Sequence, residues 1–103
     1  MASSIRTMND TAAESFLAYL AREWASVPQV AANWLSLDEE EQLAFDLEWA
    51  IREDRLADVE AWSHAGILTA AQARRFEELQ GVIVRNRPIL ETMLQYCESP
   101  RGL

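Results

Sequence analysis

The carboxylates of this chain are concentrated in one stretch. Residues 38–60 hold ten acids and two bases, and their net charge of −8 equals the formal charge of the whole chain. The acids are Asp38, Glu39, Glu40, Glu41, Asp46, Glu48, Glu53, Asp54, Asp58 and Glu60, and the bases are Arg52 and Arg55. A one-sided charge of this size acts on charged partners and on association rates rather than on the fold. This acidic stretch is therefore the first candidate for a functional surface.

We expect the acidic stretch to bind a basic partner. Like charges on adjacent helical turns, such as Asp54 and Asp58, destabilise an isolated helix, so their concentration favours a use over simple solvation, which is the alternative. The commonest basic groove is one built for nucleic acid, and a row of carboxylates imitates the spacing of phosphates. The predicted partner-binding residues are Asp38, Glu39, Glu40, Glu41, Asp46, Glu48, Trp49, Glu53, Asp54 and Asp58.

Side chains that usually carry catalysis or bind metals are scarce. The chain has one histidine, His64, and one cysteine, Cys97. Cys97 shares an apolar stripe with Leu90 and Leu94, which predicts a core position, whereas His64 is expected at a helix C-terminus or on the surface. Glu60 and His64 are four residues apart, but two ligands do not complete a metal site. We expect no enzyme activity, no metal and no cofactor.

Direct binding to nucleic acid is also disfavoured. Residues 62–80 have the outline of a helix-turn-helix whose second helix carries Arg74 and Arg75. Only Thr69 and Gln72 stand near the start of that helix as base-reading side chains. A net charge of −8 further opposes binding to a duplex, because affinity depends on neutralising phosphates.

The sequence predicts that an all-α fold positions these residues. The 103 residues are half apolar, which suits one domain over residues 1–103 with loose tails at 1–10 and 99–103. No run approaches the roughly 20 apolar residues of a membrane span, and a lone cysteine fits a reducing compartment. We expect a cytoplasmic protein that is a monomer or a homodimer.

Capping and breaking signals predict five or six short helices. Thr11–Glu14, Ser36–Glu39 and Thr69–Gln72 have the form of capping boxes and predict three helix starts. Pro28 suits the first helical position of a short helix that ends near Leu35. Further breaks are expected at Asp54 or Arg55, at Gly66 and at Pro88. The first helix runs to about Ser26, and its predicted inner face is Ala13, Phe16, Leu17, Leu20 and Trp24.

The helix that carries the acids is apolar on two sides. At about 100° per residue, one face is the expected core stripe, and the nearly opposite face is aromatic with Arg52 beside it. The core stripe is Leu43, Leu47, Ala50 and Ile51, and the aromatic face is Phe45 and Trp49. Internal packing of both faces is favoured; the alternative is an exposed Trp49 that anchors an interface within a polar rim.

Three functions fit these features. The first is a small inhibitor that binds a basic nucleic-acid-handling protein through the acidic helix and blocks its nucleic-acid site. The second is an immunity protein or antitoxin that neutralises a basic nuclease toxin by charge complementarity. The third is a homodimeric assembly module that pairs through Phe45 and Trp49.

In size, acidity and lack of catalytic groups, the chain resembles phage-encoded inhibitors of host defence, including anti-CRISPR proteins that act as DNA mimics. The resemblance covers gross properties of the whole chain, includes no motif and assigns no residues. It implies the first of the three functions.

Overall fold

The computed structural model describes residues 10–98, with side chains to residue 95. This range is helical, and it contains no β-strand. The elements are α1 (Asp10–Ala25), α2 (Val27–Ala32), a 3-10 turn (Trp34–Ser36), α3 (Glu39–His64) and α4 (Ala70–Glu98). The all-α prediction is confirmed, but three long helices with one short helix and one turn replace the five or six short helices expected. Of the predicted tails at 1–10 and 99–103, residues 1–9 and 99–103 lie outside the described residues.

Helix α1 buries the face that its spacing predicts. Ala13, Leu17, Leu20 and Trp24 are all at most 2 % exposed, and they recur every three or four residues. The helix includes Asp10, so Thr11 lies within it and is not its N-cap, and residue 10 does not belong to a tail.

A short segment turns the chain from α1 toward α3. Pro28 lies in the first turn of α2, where its missing N–H costs nothing because that group has no helical partner. The 3-10 turn then places Trp34 in the core at 1 % exposure. The short helix therefore ends at Ala32, earlier than Leu35.

Helix α3 begins two residues later than the sequence predicts. The amide of Glu41 donates to Asp38 Oδ1 at 2.8 Å, and the amide of Asp38 donates to Glu41 Oε1 at 3.0 Å. These reciprocal bonds make a capping box from Asp38 and Glu41, in place of Ser36 and Glu39. A carboxylate accepts a hydrogen bond from the backbone amide as well as a hydroxyl does. Its negative charge also interacts favourably with the positive end of the helix dipole.

The predicted break at Asp54 or Arg55 is absent, and α3 continues to His64. Leu56, Val59 and Trp62 are buried, and no glycine or proline interrupts the segment. The helix stops before Gly66, as predicted, and Gly66 has φ of +73°. The amides of Gly66 and Ile67 donate to the carbonyls of Ser63 and Trp62 at 3.0 and 3.2 Å, which is a Schellman motif.

Helix α4 starts where predicted and then passes through its predicted break. Thr69 and Gln72 exchange bonds of 3.0 and 3.1 Å, which confirms the capping box. Pro88 lies inside the helix, and buried Leu90 and Met93 follow it. Proline costs a helix one hydrogen bond, and packing on both sides of Pro88 outweighs that loss. At about 1.5 Å per residue, this helix accounts for the longest dimension, 44 Å.

The buried side chains of the described residues form one cluster. Helix α1 packs against both α3 and α4, and α2 packs against α4. An aromatic series crosses the cluster through Trp24, Trp49, Phe45 and Trp34, with ring centroids 5.0, 5.4 and 5.5 Å apart. Such edge and stacked contacts add about 0.5–1.5 kcal/mol per pair to area burial. This series fixes which side of α3 faces inward.

Candidate functional site

The structure inverts the predicted orientation of α3. Trp49 is 4 % exposed and Phe45 is partly buried against the core, whereas Leu43, Leu47 and Ile51 are 49 %, 65 % and 50 % exposed. The predicted core stripe is therefore wrong, and it lies on the surface together with exposed Ala50. The aromatic face is the inner one because a tryptophan and a phenylalanine bury more apolar area than leucines do.

Trp49 does not act as an exposed anchor, since it belongs to the interior. Its indole N–H donates to Glu53 Oε2 at 2.9 Å, and its ring contacts Trp24 and Phe45. Of the two interpretations of this residue, internal packing is confirmed. The homodimer that pairs through Phe45 and Trp49 stays a prediction; within one chain both side chains contact the core, so substituting them would remove core contacts.

Arg52 lies on the inner side of α3, next to the aromatic face. Its side chain is 13 % exposed, and its Nη2 lies 2.8 Å from Glu23 Oε1. The guanidinium carbon lies 5.3 Å from the Trp49 ring, 5.8 Å from Tyr19 and 6.0 Å from Phe45, within cation–π range. The positive charge of Arg52 is thus held on the inner side of α3, which carries the aromatic face. The opposite side, which carries the exposed residues of the predicted core stripe, is called the outer side.

Arg55 is placed in the same way. It is partly buried, and its guanidinium carbon lies 5.2 Å from the ring centroid of Phe16 on α1. Both bases of the acidic stretch therefore contact the body of the protein. The sequence gives only the charge of these two arginines. Their position is determined by the aromatic residues of α1 and α3 that they contact.

Several of the predicted partner-binding carboxylates form contacts within the protein. Asp38 and Glu41 form the capping box, and Glu53 accepts from Trp49 and from Arg87 Nη1 at 3.2 Å. Asp58 is partly buried and has an interaction within the protein. These four carboxylates are less available to a partner than the sequence suggests.

The other five carboxylates are unpaired. Within residues 10–98 their side chains have no ion pair and no hydrogen-bond partner, and all are exposed except Asp46, which is partly buried. These unpaired carboxylates are Glu39, Glu40, Asp46, Glu48 and Asp54. Glu39 and Glu40 also line an open depression with Asp38 and Leu43. The exposed part of α3 thus keeps acids without their local counter-charges.

The structure gathers no catalytic group around these acids. His64 is exposed at the end of α3 with its Nδ1 2.9 Å from the carbonyl oxygen of Glu60, and the side chain of Cys97 lies outside the described residues. No set of three His, Cys, Asp or Glu side chains in the described range is arranged to hold a metal ion. The described part of α3 exposes unpaired carboxylates together with Leu43, Leu47 and Ile51.

The start of α4 is not available for reading bases. Gln72 is 1 % exposed and donates to Glu14 Oε2 at 3.2 Å, and Thr69 is its capping partner. Arg75 is paired with Glu14. The helix-turn-helix outline therefore lacks the two side chains that were its best candidates for base contacts.

An apolar cavity of about 420 Å³ lies between the 3-10 turn and α4. It is lined by Ala31, Trp34, Leu35, Pro88, Ile89, Thr92 and Met93. The indole N–H groups of Trp24 and Trp34 are buried without a partner in the described part of the chain. The lining contains no titratable side chain, so this cavity supports no acid–base chemistry.

Comparisons of the chain with protein families, with curated proteins and with solved structures give no match. Between residues 10 and 98, no helix combines the length and apolarity needed to cross a membrane.

Proposed function

We propose that this protein is an inhibitor that places the outer side of α3 on the basic nucleic-acid site of another protein. One observation supports the proposal above all. The unpaired carboxylates remain on the outer side, while Arg52 and Arg55, the only bases of the acidic stretch, pack inward against aromatic rings. The negative field of that side is therefore not neutralised locally, and it favours a basic partner.

The density of the unpaired carboxylates along the helix axis is close to that of a phosphate row, although Asp46 and Glu48 lie about 200° apart around the helix. Residues 39–54 cover about 22 Å of helix axis, so five carboxylates give one charge per roughly 4–5 Å. One strand of B-DNA has a phosphate per about 3.4 Å along its axis. A groove that contacts successive phosphates with arginines or lysines would meet a comparable density of negative charge on α3.

Inhibition is tested by charge-matched variants against a captured partner. The protein is used to capture partners from host lysate at low and high salt, and the captured protein is assayed for nucleic-acid binding by fluorescence anisotropy. The outer variant carries Glu39→Gln, Glu40→Gln, Asp46→Asn, Glu48→Gln and Asp54→Asn. The control carries Asp10→Asn, Glu60→Gln, Glu77→Gln, Glu78→Gln and Glu91→Gln, which are exposed sites with the same total change in charge.

Wild type and the control variant should displace nucleic acid from the partner, and the outer variant should require at least about tenfold more protein, since charged interface pairs contribute association rate and affinity. High salt should reduce the difference by screening. Equal inhibition by the outer variant would show that the carboxylates are not used. A captured nuclease toxin would assign the protein to the immunity class with the same binding surface.

A further inference from the structure

Three large apolar side chains form a line on the outer side of α3. Leu43, Leu47 and Ile51 are each about half to two-thirds exposed, and their spacing of four residues places them along one side of the helix over about 12 Å. Exposed Ala50 lies beside them. We call these four residues the apolar seam. Contiguous exposed apolar surface rimmed by polar residues marks an interaction site more often than isolated exposed leucines do.

The fold does not require the seam. The inner side of α3 supplies its core contacts through Trp49, Leu56, Val59 and Trp62, all at most 4 % exposed. The unpaired carboxylates nevertheless occur along the same stretch of α3, before, between and after the residues of the seam. An apolar centre with a charged rim is the arrangement of a protein interface, whereas a surface that imitates only phosphates needs no leucines.

We propose that the apolar seam binds an amphipathic, basic α-helix of the partner protein. This inference rests on the proposed function and specifies which part of the basic partner is contacted. Residues four apart form a ridge along a helix, and such a ridge packs into the grooves of another helix; Leu43, Leu47 and Ile51 form a ridge of this kind. Lysines and arginines beside the apolar side chains of the partner helix would face Glu40, Asp46 and Asp54, so the charges on the two sides are complementary.

Charge complementarity also selects against other occupants. A second copy of this chain would bring two sets of unpaired carboxylates together, and like charges across an interface are strongly unfavourable. A nucleic acid would place phosphates against the same carboxylates. An amphipathic basic helix can both cover the leucines with apolar side chains and pair its positive charges with the carboxylates.

Two synthetic peptides of 18 residues test this inference. Both contain the same leucines and lysines; one places leucines at helical spacing and the other is scrambled. Binding of each labelled peptide is measured by fluorescence anisotropy at low and moderate salt. The protein is wild type, the seam variant Leu43→Gln with Leu47→Gln, or the control Leu35→Gln with Val84→Gln, whose side chains are 76 % and 74 % exposed outside the seam.

The amphipathic peptide should bind wild type and the control about tenfold more tightly than the scrambled peptide, because only it buries the seam. In the seam variant this ratio should fall to nearly one, while the salt dependence of both peptides persists. Circular dichroism checks that each variant is folded. Equal affinity of the two peptides for wild type would overturn the helix inference and leave the charge-based inhibition intact.

Two further results would also overturn it. Binding of neither peptide at low salt would show that the outer side of α3 does not recognise basic helices, and the displacement assay would still judge inhibition separately. Self-association of wild type that the seam variant abolishes would assign the seam to a second copy of the chain.

Discussion

At the scale of single residues, the orientation of the arginines determines how much of the negative charge of the acidic stretch is neutralised. Arg52 is enclosed by Glu23 and by three aromatic rings, and its charge therefore serves the core. Arg87 acts similarly, since its guanidinium carbon lies 4.9 Å from the ring of Trp24 while it pairs with Glu53. Planar guanidinium groups stack on rings and donate in a fixed fork, which lysine cannot reproduce.

Arg52→Lys should lower the free energy of unfolding by about 1–2 kcal/mol, through lost stacking and a poorer bond to Glu23. Urea denaturation measures the change. Arg22→Lys is the matched control, because Arg22 is also next to Glu23 but its side chain is 70 % exposed, and its effect should stay within about 0.5 kcal/mol. Equal effects of the two substitutions would contradict a structural role for the aromatic enclosure.

At the scale of the helices, α3 has two apolar faces and only one of them is core. Leu56 and Leu47 lie on the same helix, and they are 4 % and 65 % exposed. Leu56→Ala should cost about 2–5 kcal/mol by removing buried area and leaving a cavity. Leu47→Ala should cost less than about 0.5 kcal/mol. Thermal unfolding of the two variants distinguishes this orientation from the inverted one, in which Leu47→Ala would be the costlier change.

A glycine stabilises the end of a helix where φ is positive, but it destabilises the interior of a helix. Gly66 has φ of +73° at the end of α3, whereas Gly81 lies inside α4, where an added methyl group would have Arg85 Nη1 as its nearest contact, at 3.7 Å. Gly66→Ala should destabilise the protein by about 1–2 kcal/mol, because L-residues avoid positive φ. Gly81→Ala should stabilise it by up to about 1 kcal/mol. Chemical denaturation gives both values, and a stabilising Gly66→Ala would contradict the cap geometry.

At the scale of the whole molecule, charge and apolar surface on α3 act against each other. We expect the unpaired carboxylates to keep copies of the protein apart by repulsion and the apolar seam, without them, to draw copies together. We expect this balance to make the outer side selective for a partner of opposite charge. Removal of the charge should therefore leave the attraction between seams unopposed.

The outer variant has its five unpaired carboxylates neutralised. At the same protein concentration, it should self-associate more than wild type does. Sedimentation velocity at low salt measures the difference. The control variant neutralised at Asp10, Glu60, Glu77, Glu78 and Glu91 should behave like wild type, because its acids do not surround the seam. Adding Leu43→Gln and Leu47→Gln to the outer variant should reverse the association. Association that persists after these additions would place the contact elsewhere.

Sequence alone determined the features that depend on neighbouring residues. The location of the charge can be counted directly, and the helical class follows from local periodicity and capping signals. The start of α4 at Thr69–Gln72 and the end of α3 at Gly66 were predictable for the same reason, since a few adjacent backbone groups satisfy one another there.

Only the tertiary structure decided the features that depend on distant residues. Periodicity cannot rank two apolar faces of one helix, and contacts of Trp49 and Arg52 with Trp24 and Glu23 on α1 turned the aromatic face inward. Packing beyond Pro88 kept α4 continuous against the local breaking signal. Which carboxylates remained unpaired was likewise decided by capping geometry and by Arg87, because an ion pair forms between side chains that the fold brings together.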